Sequence, residues 1–215
     1  MKYKTILFDL DGTILDTNEL IISSFEHTFQ THFPDRVITR EEIILQMGGT
    51  LTDILSQYTE EKELIEEMVQ TYRNYNIGKH DEIVTAFPYV QEVIRELDEA
   101  GIKMGIVSTK QRNTIEMGLK LCELDQHMST VVSLNEVENP KPHPEPILKA
   151  MSNLGAIAEY TLMVGDSSFD IEAAHRAGVD SAGVAWSLKG MEYLESYSPT
   201  YMLHDMRDLL KIVRD

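Results

Sequence analysis

Two aspartates, Asp9 and Asp11, follow a short apolar run near the start of this 215-residue chain. Successive side chains of an extended segment point to opposite faces, so the two carboxylates lie on one side and Leu10 on the other. Two carboxylates this close repel each other unless a cation lies between them. Mg²⁺ takes oxygen ligands and often keeps several waters beside one or two carboxylates and a substrate phosphate. The pair therefore predicts a site for a divalent cation and a phosphorylated ligand.

A β-hairpin is the simpler interpretation of the same residues, because Asp-Gly between apolar runs is typical of hairpin turns. The segment after Gly12 favours the start of a helix over a returning strand, since Asp16 and Glu19 have the spacing of a helix N-cap and its third residue. The rest of the chain must decide between a turn and a catalytic pair.

The composition is ordinary for a globular protein, with 42% hydrophobic and 26% charged residues. We expect no membrane-spanning helix, because no run of about 18 apolar residues occurs, and no signal peptide, because the first strand begins at once. The net charge of −17 argues against nucleic-acid binding, which needs clustered Lys and Arg. The single cysteine, Cys122, lies on an apolar helical face and is expected to be a packed thiol in a reducing compartment. We therefore expect a cytoplasmic protein, monomeric or dimeric.

The order of predicted elements divides the chain into two parts. Residues 16–83 show helical spacing and no strand pattern, and Thr39 and Glu42 form a capping box ahead of one helix. After Pro88, apolar helical faces alternate with short buried strands, at 102–107, 130–133, 161–164 and 181–185. This alternation predicts βαβ units and an α/β fold with a parallel sheet. We expect a core of residues 1–15 and 84–215 with an all-helical insertion at 16–83.

In an open parallel sheet, ligands bind in the crevice beyond the carboxyl ends of the strands. Six polar residues fall at or just after predicted strand ends: Asp9, Asp11, Ser108, Lys141, Asp166 and Asp170. Lys141 lies among prolines, whose rings restrict the backbone, so its side chain is expected to be held in place. The fold would bring all six to one edge of the sheet.

Four motifs occur here in the order in which they occur in the haloacid dehalogenase-like (HAD) phosphatases. They are Phe8-Asp9-Leu10-Asp11-Gly12-Thr13, Ser108 after an apolar strand, Lys141 in Lys-Pro-x-Pro, and Gly165-Asp166-x-x-x-Asp170. The resemblance spans nearly the whole chain. It implies a Rossmannoid three-layer α/β/α core with strand order 5-4-1-2-3, and it identifies residues 16–83 as similar to that superfamily's C1-type helical cap.

The resemblance implies an Mg²⁺-dependent phosphohydrolase that acts through an aspartyl-phosphate. Asp9 would be the nucleophile, and Asp11 would be the general acid and then the general base. Mg²⁺ would be held by Asp9, by the main-chain carbonyl of Asp11 and by Asp166, with Asp170 orienting these ligands. Two further side chains, Ser108 and Lys141, would hold the remaining phosphoryl oxygens.

Within this superfamily, residues 72–82 and 183–190 resemble the PpaX-type inorganic pyrophosphatases of Gram-positive bacteria. Phosphoglycolate phosphatases, or other phosphatases of small phosphomonoesters, are the alternative. We expect substrate contacts from Gly48, Gly49, Arg73, Thr109, Lys110 and Lys189. Two departures from the usual motifs bear on substrate choice, because Thr109 follows Ser108 where Asn is common and His143 stands where Asp is common.

A phosphoacceptor module, or a ligand-binding protein with an inactive site, is the non-enzymatic alternative. Receiver domains also cluster Asp, Ser or Thr, and Lys around Mg²⁺. Their acidic pair, however, precedes a separate phosphoacceptor Asp, and they have no inserted helical cap. Since every motif residue is present here, the sequence favours the enzyme.

Overall fold

A six-stranded parallel sheet forms the centre of the computed structural model, which describes residues 1–214. Its strands are β1 (Thr5–Phe8), β4 (Lys103–Val107), β5 (Thr130–Val132), β6 (Thr161–Gly165), β7 (Asp180–Val184) and β8 (Tyr201–Leu203). Two short strands, β2 (Leu15–Asp16) and β3 (Thr85–Ala86), pair antiparallel outside this sheet. The strand order is β5-β4-β1-β6-β7-β8. The predicted order 5-4-1-2-3 is confirmed for the first five sheet strands, and β8 adds a sixth.

Helices cover both faces of the sheet. One face packs against α5 (Val90–Glu99), α6 (Arg112–Leu121) and α10 (Asp208–Arg214), and the other packs against α7 (Glu145–Leu154) and α8 (Ser168–Ala177). The alternation of strand side chains divides the core, because Ile6 and Phe8 of β1 join the first hydrophobic cluster and Leu7 joins the second. A short helix, α9 (Met191–Glu195), precedes β8. The predicted three-layer α/β/α architecture is confirmed.

Four helices lie between β2 and β3: α1 (Asn18–His32), α2 (Arg40–Gln46), α3 (Leu51–Leu55) and α4 (Lys62–Ile83). They share a third hydrophobic cluster, which includes Phe25, Ile43, Ile54 and Met68, one from each helix. The predicted capping box of α2 is present, since Thr39 accepts from the Glu42 N–H. No helix within residues 1–214 is both long and apolar enough to cross a membrane. The division into a core and a cap at 16–83 stays a prediction, which the separate cluster favours.

The entry into α1 differs from the prediction. Asp16 lies in β2, opposite Thr85, so it is not the N-cap and the segment 16–83 is not free of strand. Thr17 is the N-cap, and it makes no side-chain cap bond because its hydroxyl donates to Asp11 at 2.6 Å. Strands of two or three residues, such as β2, β3 and β8, are too short to show the alternation by which strands are recognised.

Two glycines allow a test of the packing of the sheet. A Cβ on Gly105, in β4, would lie 2.5 Å from Thr130 Cγ2 and 3.3 Å from Leu7, whereas a Cβ on Gly78, in α4, would meet nothing within 4 Å. We expect Gly105→Ala to lower the free energy of unfolding by about 1–3 kcal/mol through overpacking. Gly78→Ala should raise it by up to about 1 kcal/mol because alanine favours the helix. Urea unfolding measures both, and equal effects would contradict the expected packing.

Candidate active site

The carboxyl ends of three neighbouring strands carry the predicted site residues. Asp9 follows β1, and its N–H donates to Val164 O at 2.8 Å, which continues the pairing with β6 by one residue. Ser108 follows β4, and its N–H donates to Val132 O at 3.0 Å. Asp166 follows β6 directly. The parallel ladders therefore fix the backbone of all three residues at one edge of the sheet.

The buried ammonium of Lys141 links Asp9, which follows β1, to Asp170, which lies in the first turn of α8. It donates to Asp9 Oδ1 at 2.7 Å, to Asp170 Oδ1 at 2.6 Å and to the carbonyl of Val107 at 2.8 Å. Lys141 is only 4% exposed, so its three donors replace water entirely with protein oxygens. The side chain is therefore held in one position, as its proline-flanked loop predicts.

The electrostatics of the site are dominated by burial and by an excess of carboxylates. Burial raises the pKa of the Asp9 carboxyl to about 7, although Lys141 opposes the shift. Burial, together with the charges of Asp9 and Asp170, raises the pKa of Asp166 well above its ordinary value. Burial alone would lower the pKa of Lys141, but Asp170 and Asp9 raise it, so the lysine stays charged. These shifts indicate a site that favours an additional cation.

The donor set fits a hard divalent cation. Carboxylate oxygens of Asp9, Asp166 and Asp170 lie within 4.8 Å of one another. Asp166 accepts no hydrogen bond at its carboxylate from residues 1–214, while Asp170 accepts from Lys141 and from both the N–H and the hydroxyl of Ser167. Asp166 is thus the carboxylate left available, and Asp170 is the one already held. Oxygen-only ligands of this kind suit Mg²⁺, Ca²⁺ or Mn²⁺.

Two neighbouring features agree with a cation beside Asp166. A Cβ on Gly12, whose φ is +74°, would collide with the Asp166 carboxylate, so only glycine leaves that space open. The Oδ1 atom of Asn18 is buried near the same point and has no hydrogen-bond partner in the described chain. A buried acceptor without a donor indicates a missing water or ion.

Asp11 lies on the cavity side of the same turn and is held by two donors. Its Oδ1 accepts from Lys110 Nζ at 2.6 Å and from Thr17 Oγ1 at 2.6 Å. The Asp11 and Lys110 side chains are 16% and 17% exposed, so both remain accessible from the cavity. Each aspartate of the pair therefore has its own lysine, because Lys110 donates to Asp11 and Lys141 donates to Asp9.

The loop between α2 and α3 lies against the core and closes one side of the cavity. Lys189 Nζ donates to Met47 O at 2.6 Å, and the Thr109 hydroxyl approaches the carbonyls of Gly48 and Gly49 at 3.4 and 3.5 Å. A Cβ on Gly48 would lie 3.1 Å from side-chain atoms of Phe169 and Ser167. Glycine therefore suits this close approach, because a Cβ would be tight here and the φ of +105° is one that other residues rarely adopt.

The structure brings most of the predicted site residues to one cavity. Those that line it are Asp9, Asp11, Gly48, Gly49, Arg73, Thr109, Lys110, Lys141 and Asp166. Three others lie outside the wall of the cavity: Ser108, Asp170 and Lys189. Ser108 accepts from the Lys110 N–H at 3.2 Å. Burial lowers the pKa of Lys189, whose ammonium faces Met47 O. The predicted substrate contacts of Ser108 and Lys189 stay predictions.

Three supporting residues were not predicted from the sequence. Thr17 donates to Asp11, Ser167 caps α8 through Asp170, and the Ser187 hydroxyl donates to the carbonyl of Asp166 at 2.7 Å. The pattern Ser-x-x-Asp at 167–170 is a readable helix-start signal. Thr17 and Ser187 carry no such signal, because their partners are set by tertiary folding.

Comparisons with known proteins give one consistent result. A family model described as haloacid dehalogenase-like hydrolase matches residues 6–184. A protein of Bacillus cereus (strain AH820) named pyrophosphatase PpaX is 49% identical over 215 residues, which cover 100% of this chain and 98% of that one. Its namesake from Bacillus thuringiensis (strain Al Hakam) is 48% identical with the same coverage. The structure of a haloacid dehalogenase-like family hydrolase from Streptococcus pneumoniae is 25% identical, with a TM-score of 0.85 and 98% of each chain covered.

The bond from Lys189 to Met47 predicts how the cap loop is held. Lys189→Met keeps the length of the side chain but removes the charged donor, whose hydrogen bond is worth about 1.5–3 kcal/mol. We expect the amides of Gly48, Gly49 and Thr50 to exchange with deuterated solvent about tenfold faster or more. Lys62→Met, at an exposed position at the start of α4, is the control. Unchanged exchange in Lys189→Met would show that the loop is held by other contacts.

Proposed function

The chain belongs to the haloacid dehalogenase-like hydrolase family, and we propose that within this family it is an Mg²⁺-dependent inorganic pyrophosphatase. The observation that carries the proposal is the buried Lys141 between Asp9 and Asp170, next to the carboxylate of Asp166, which accepts no hydrogen bond from the described residues. This cluster combines a nucleophile, a fixed cation and a carboxylate free for a metal. The choice of substrate rests on the whole-chain similarity to proteins named pyrophosphatase.

Asp9 is the nucleophile in this proposal. Its Oδ1 accepts from Lys141, whereas Oδ2 accepts no hydrogen bond from the described residues and is available for attack. Oδ2 forms a bond to phosphorus while the bridging P–O bond breaks, and the leaving phosphate takes a proton from Asp11. Asp11 then removes a proton from water, whose oxygen attacks phosphorus and releases Asp9 and a second phosphate. The contacts of Asp11 with Lys110 and Thr17 keep its carboxylate turned toward the cavity.

Mg²⁺ would be held by Asp9, Asp166 and the main-chain carbonyl of Asp11, and when bound it neutralises charge on the phosphoryl oxygens. Asp170 positions the site without lining the cavity. One of its carboxylate oxygens accepts from Lys141, and the other accepts from the N–H of Ser167 at the start of α8. We propose that the Ser108 hydroxyl donates to a phosphoryl oxygen and that Lys141, whose three donors are used by Asp9, Asp170 and Val107, contributes its positive charge. Each well-placed donor of this kind is worth about 3 kcal/mol in the transition state.

The second phosphate of the substrate needs cations of its own. Lys110 and Arg73 line the cavity, and Arg73 makes no ion pair with any residue of the described chain. We propose that both contact the leaving phosphate, under a cap formed by residues 16–83. Phosphoglycolate is the alternative substrate, because its carboxylate would use the same two cations.

Replacement of the nucleophile tests the mechanism. We expect Asp9→Asn to lower phosphate release by about 1,000-fold or more, because the amide cannot form the covalent intermediate. The fold should persist, since Lys141 keeps its contact with Asp170. Phosphate release and thermal unfolding are measured in parallel, with Asp35→Asn, at an exposed loop position, as the control. Turnover by Asp9→Asn at the wild-type rate would exclude the aspartyl-phosphate.

The substrate is tested by kcat/KM for pyrophosphate and phosphoglycolate at the same free Mg²⁺ concentration. We expect pyrophosphate to be preferred, and we expect both activities to stop with excess chelator and to return with Mg²⁺. A tenfold preference for phosphoglycolate, about 1.4 kcal/mol in transition-state stabilisation, would reverse the assignment. Turnover that survives exhaustive chelation would exclude the metal.

A further inference from the structure

The helix α4 brings one tyrosine to the wall of the cavity. Tyr72 lines the cavity beside Arg73, and Asn76 lies on the same wall one helical turn further on. The side-chain amide of Asn76 already donates to Ser24 Oγ at 3.1 Å. The Tyr72 hydroxyl, by contrast, makes no hydrogen bond with any residue of the described chain. The contacts proposed above for pyrophosphate leave this hydroxyl without a role.

Packing fixes the position of the Tyr72 hydroxyl. The residue is only 8% exposed, and its ring packs against Phe25 with the ring centroids 4.7 Å apart. Its oxygen is not among the fully enclosed polar atoms that lack a partner in residues 1–214. The ring is therefore buried, while the oxygen keeps access to the cavity. A donor that is held in this way before the substrate binds loses little conformational freedom on binding.

Asp11 is near enough for its charge to act on this hydroxyl. Burial raises the pKa of Tyr72, and the carboxylate of Asp11 raises it further, so the phenol stays protonated and remains a donor. The phenol does not donate to Asp11, whose Oδ1 accepts from Lys110 and Thr17. In the proposed reaction Asp11 gives a proton to the leaving phosphate, so that phosphate must contact Asp11. A donor that lies near Asp11 on the cap side of the cavity is therefore beside the position of the leaving phosphate.

We propose that the Tyr72 hydroxyl donates a hydrogen bond to a non-bridging oxygen of the leaving phosphate. The inference rests on the proposed function and adds to it a substrate contact that carries no charge. Lys110 and Arg73 would supply the charge, whereas the hydroxyl would supply direction, because hydrogen bonds weaken when they are not linear. A leaving group without an acceptor at this point would leave the donor unpaired, which makes Tyr72 a residue that determines specificity.

The variant Tyr72→Phe tests the contact, because it removes the hydroxyl and keeps the ring against Phe25. We expect kcat/KM for pyrophosphate, measured with the Mg²⁺-loaded enzyme, to fall about 10- to 100-fold, as the loss of a hydrogen bond to a charged group predicts. The midpoint of thermal unfolding should not fall, since no hydrogen bond within the described chain is lost. Tyr75→Phe is the matched control, because Tyr75 lies on the same helix and stacks on His27 at 4.6 Å without lining the cavity. It should leave kcat/KM within about twofold.

The two proposals fail in different ways. If the wild-type enzyme hydrolyses pyrophosphate and Tyr72→Phe does so with an unchanged kcat/KM, the inference is overturned and the proposed function stands. If the wild-type enzyme does not hydrolyse pyrophosphate at all, both are overturned. A fall of the same size in Tyr75→Phe would also overturn the inference, because the effect would then not depend on the cavity wall.

Two inhibitors show which part of the substrate the hydroxyl contacts. Methylenediphosphonate occupies the positions of both phosphates and is not cleaved at its bridging carbon, whereas orthovanadate mimics the transferred phosphoryl group alone. We expect Tyr72→Phe to raise the inhibition constant of methylenediphosphonate about tenfold or more and to leave that of orthovanadate within about twofold. An equal change for both inhibitors, or no change for either, would show that the hydroxyl does not contact the leaving phosphate.

Discussion

The ammonium of Lys141, enclosed by Asp9, Asp170 and the carbonyl of Val107, is the interaction on which the candidate site depends. A buried charge is tolerated only when its partners compensate for the water it has lost, and removal of one partner costs several kcal/mol. Here one lysine faces three carboxylates, because Asp166 lies beside the pair. A further cation would balance the charges, as would protonation of a carboxylate whose pKa is raised. The cluster therefore holds its own geometry and, at the same time, favours the cation that its proposed chemistry uses.

The topology of the sheet explains why these groups meet. β1 lies at the centre, and the chain proceeds outward from it in one direction through β4 and β5 and in the other through β6 and β7. A crevice opens beyond the carboxyl ends of the strands at such a reversal of strand order. Asp9 leaves the central strand at this crevice, and Asp166 leaves the strand next to it. Lys141 arrives from the loop before α7, so residues distant in sequence converge at this crevice.

Much of this arrangement could be predicted from the sequence. Buried strands such as Thr161–Gly165 are continuous apolar runs, and polar residues such as Asp166 follow them, so both the sheet and its functional edge are readable. The direction of a long flexible side chain is not readable. Lys189, whose substrate contact stays a prediction, donates to Met47 O, a partner that the sequence does not reveal. Asp16 resembles an N-cap, yet Thr17 occupies that place while its hydroxyl serves Asp11.

The apolar side of the cavity, which α1, α3 and α4 form, could not be predicted from the sequence for a related reason. Phe25 and Tyr72 have the spacing that any helical core requires. Only packing decides which apolar residues of a helix are enclosed and which reach a cavity, and Leu51 and Ile77 are of the second kind. The loop between α2 and α3 contacts the core at Met47, Gly48 and Gly49. The side of the cavity at the strand ends is fixed by the sheet and by the buried ion cluster of Lys141, Asp9 and Asp170. Substitutions at Leu51 and Ile77 should therefore leave the geometry of the residues proposed to attack phosphorus unchanged.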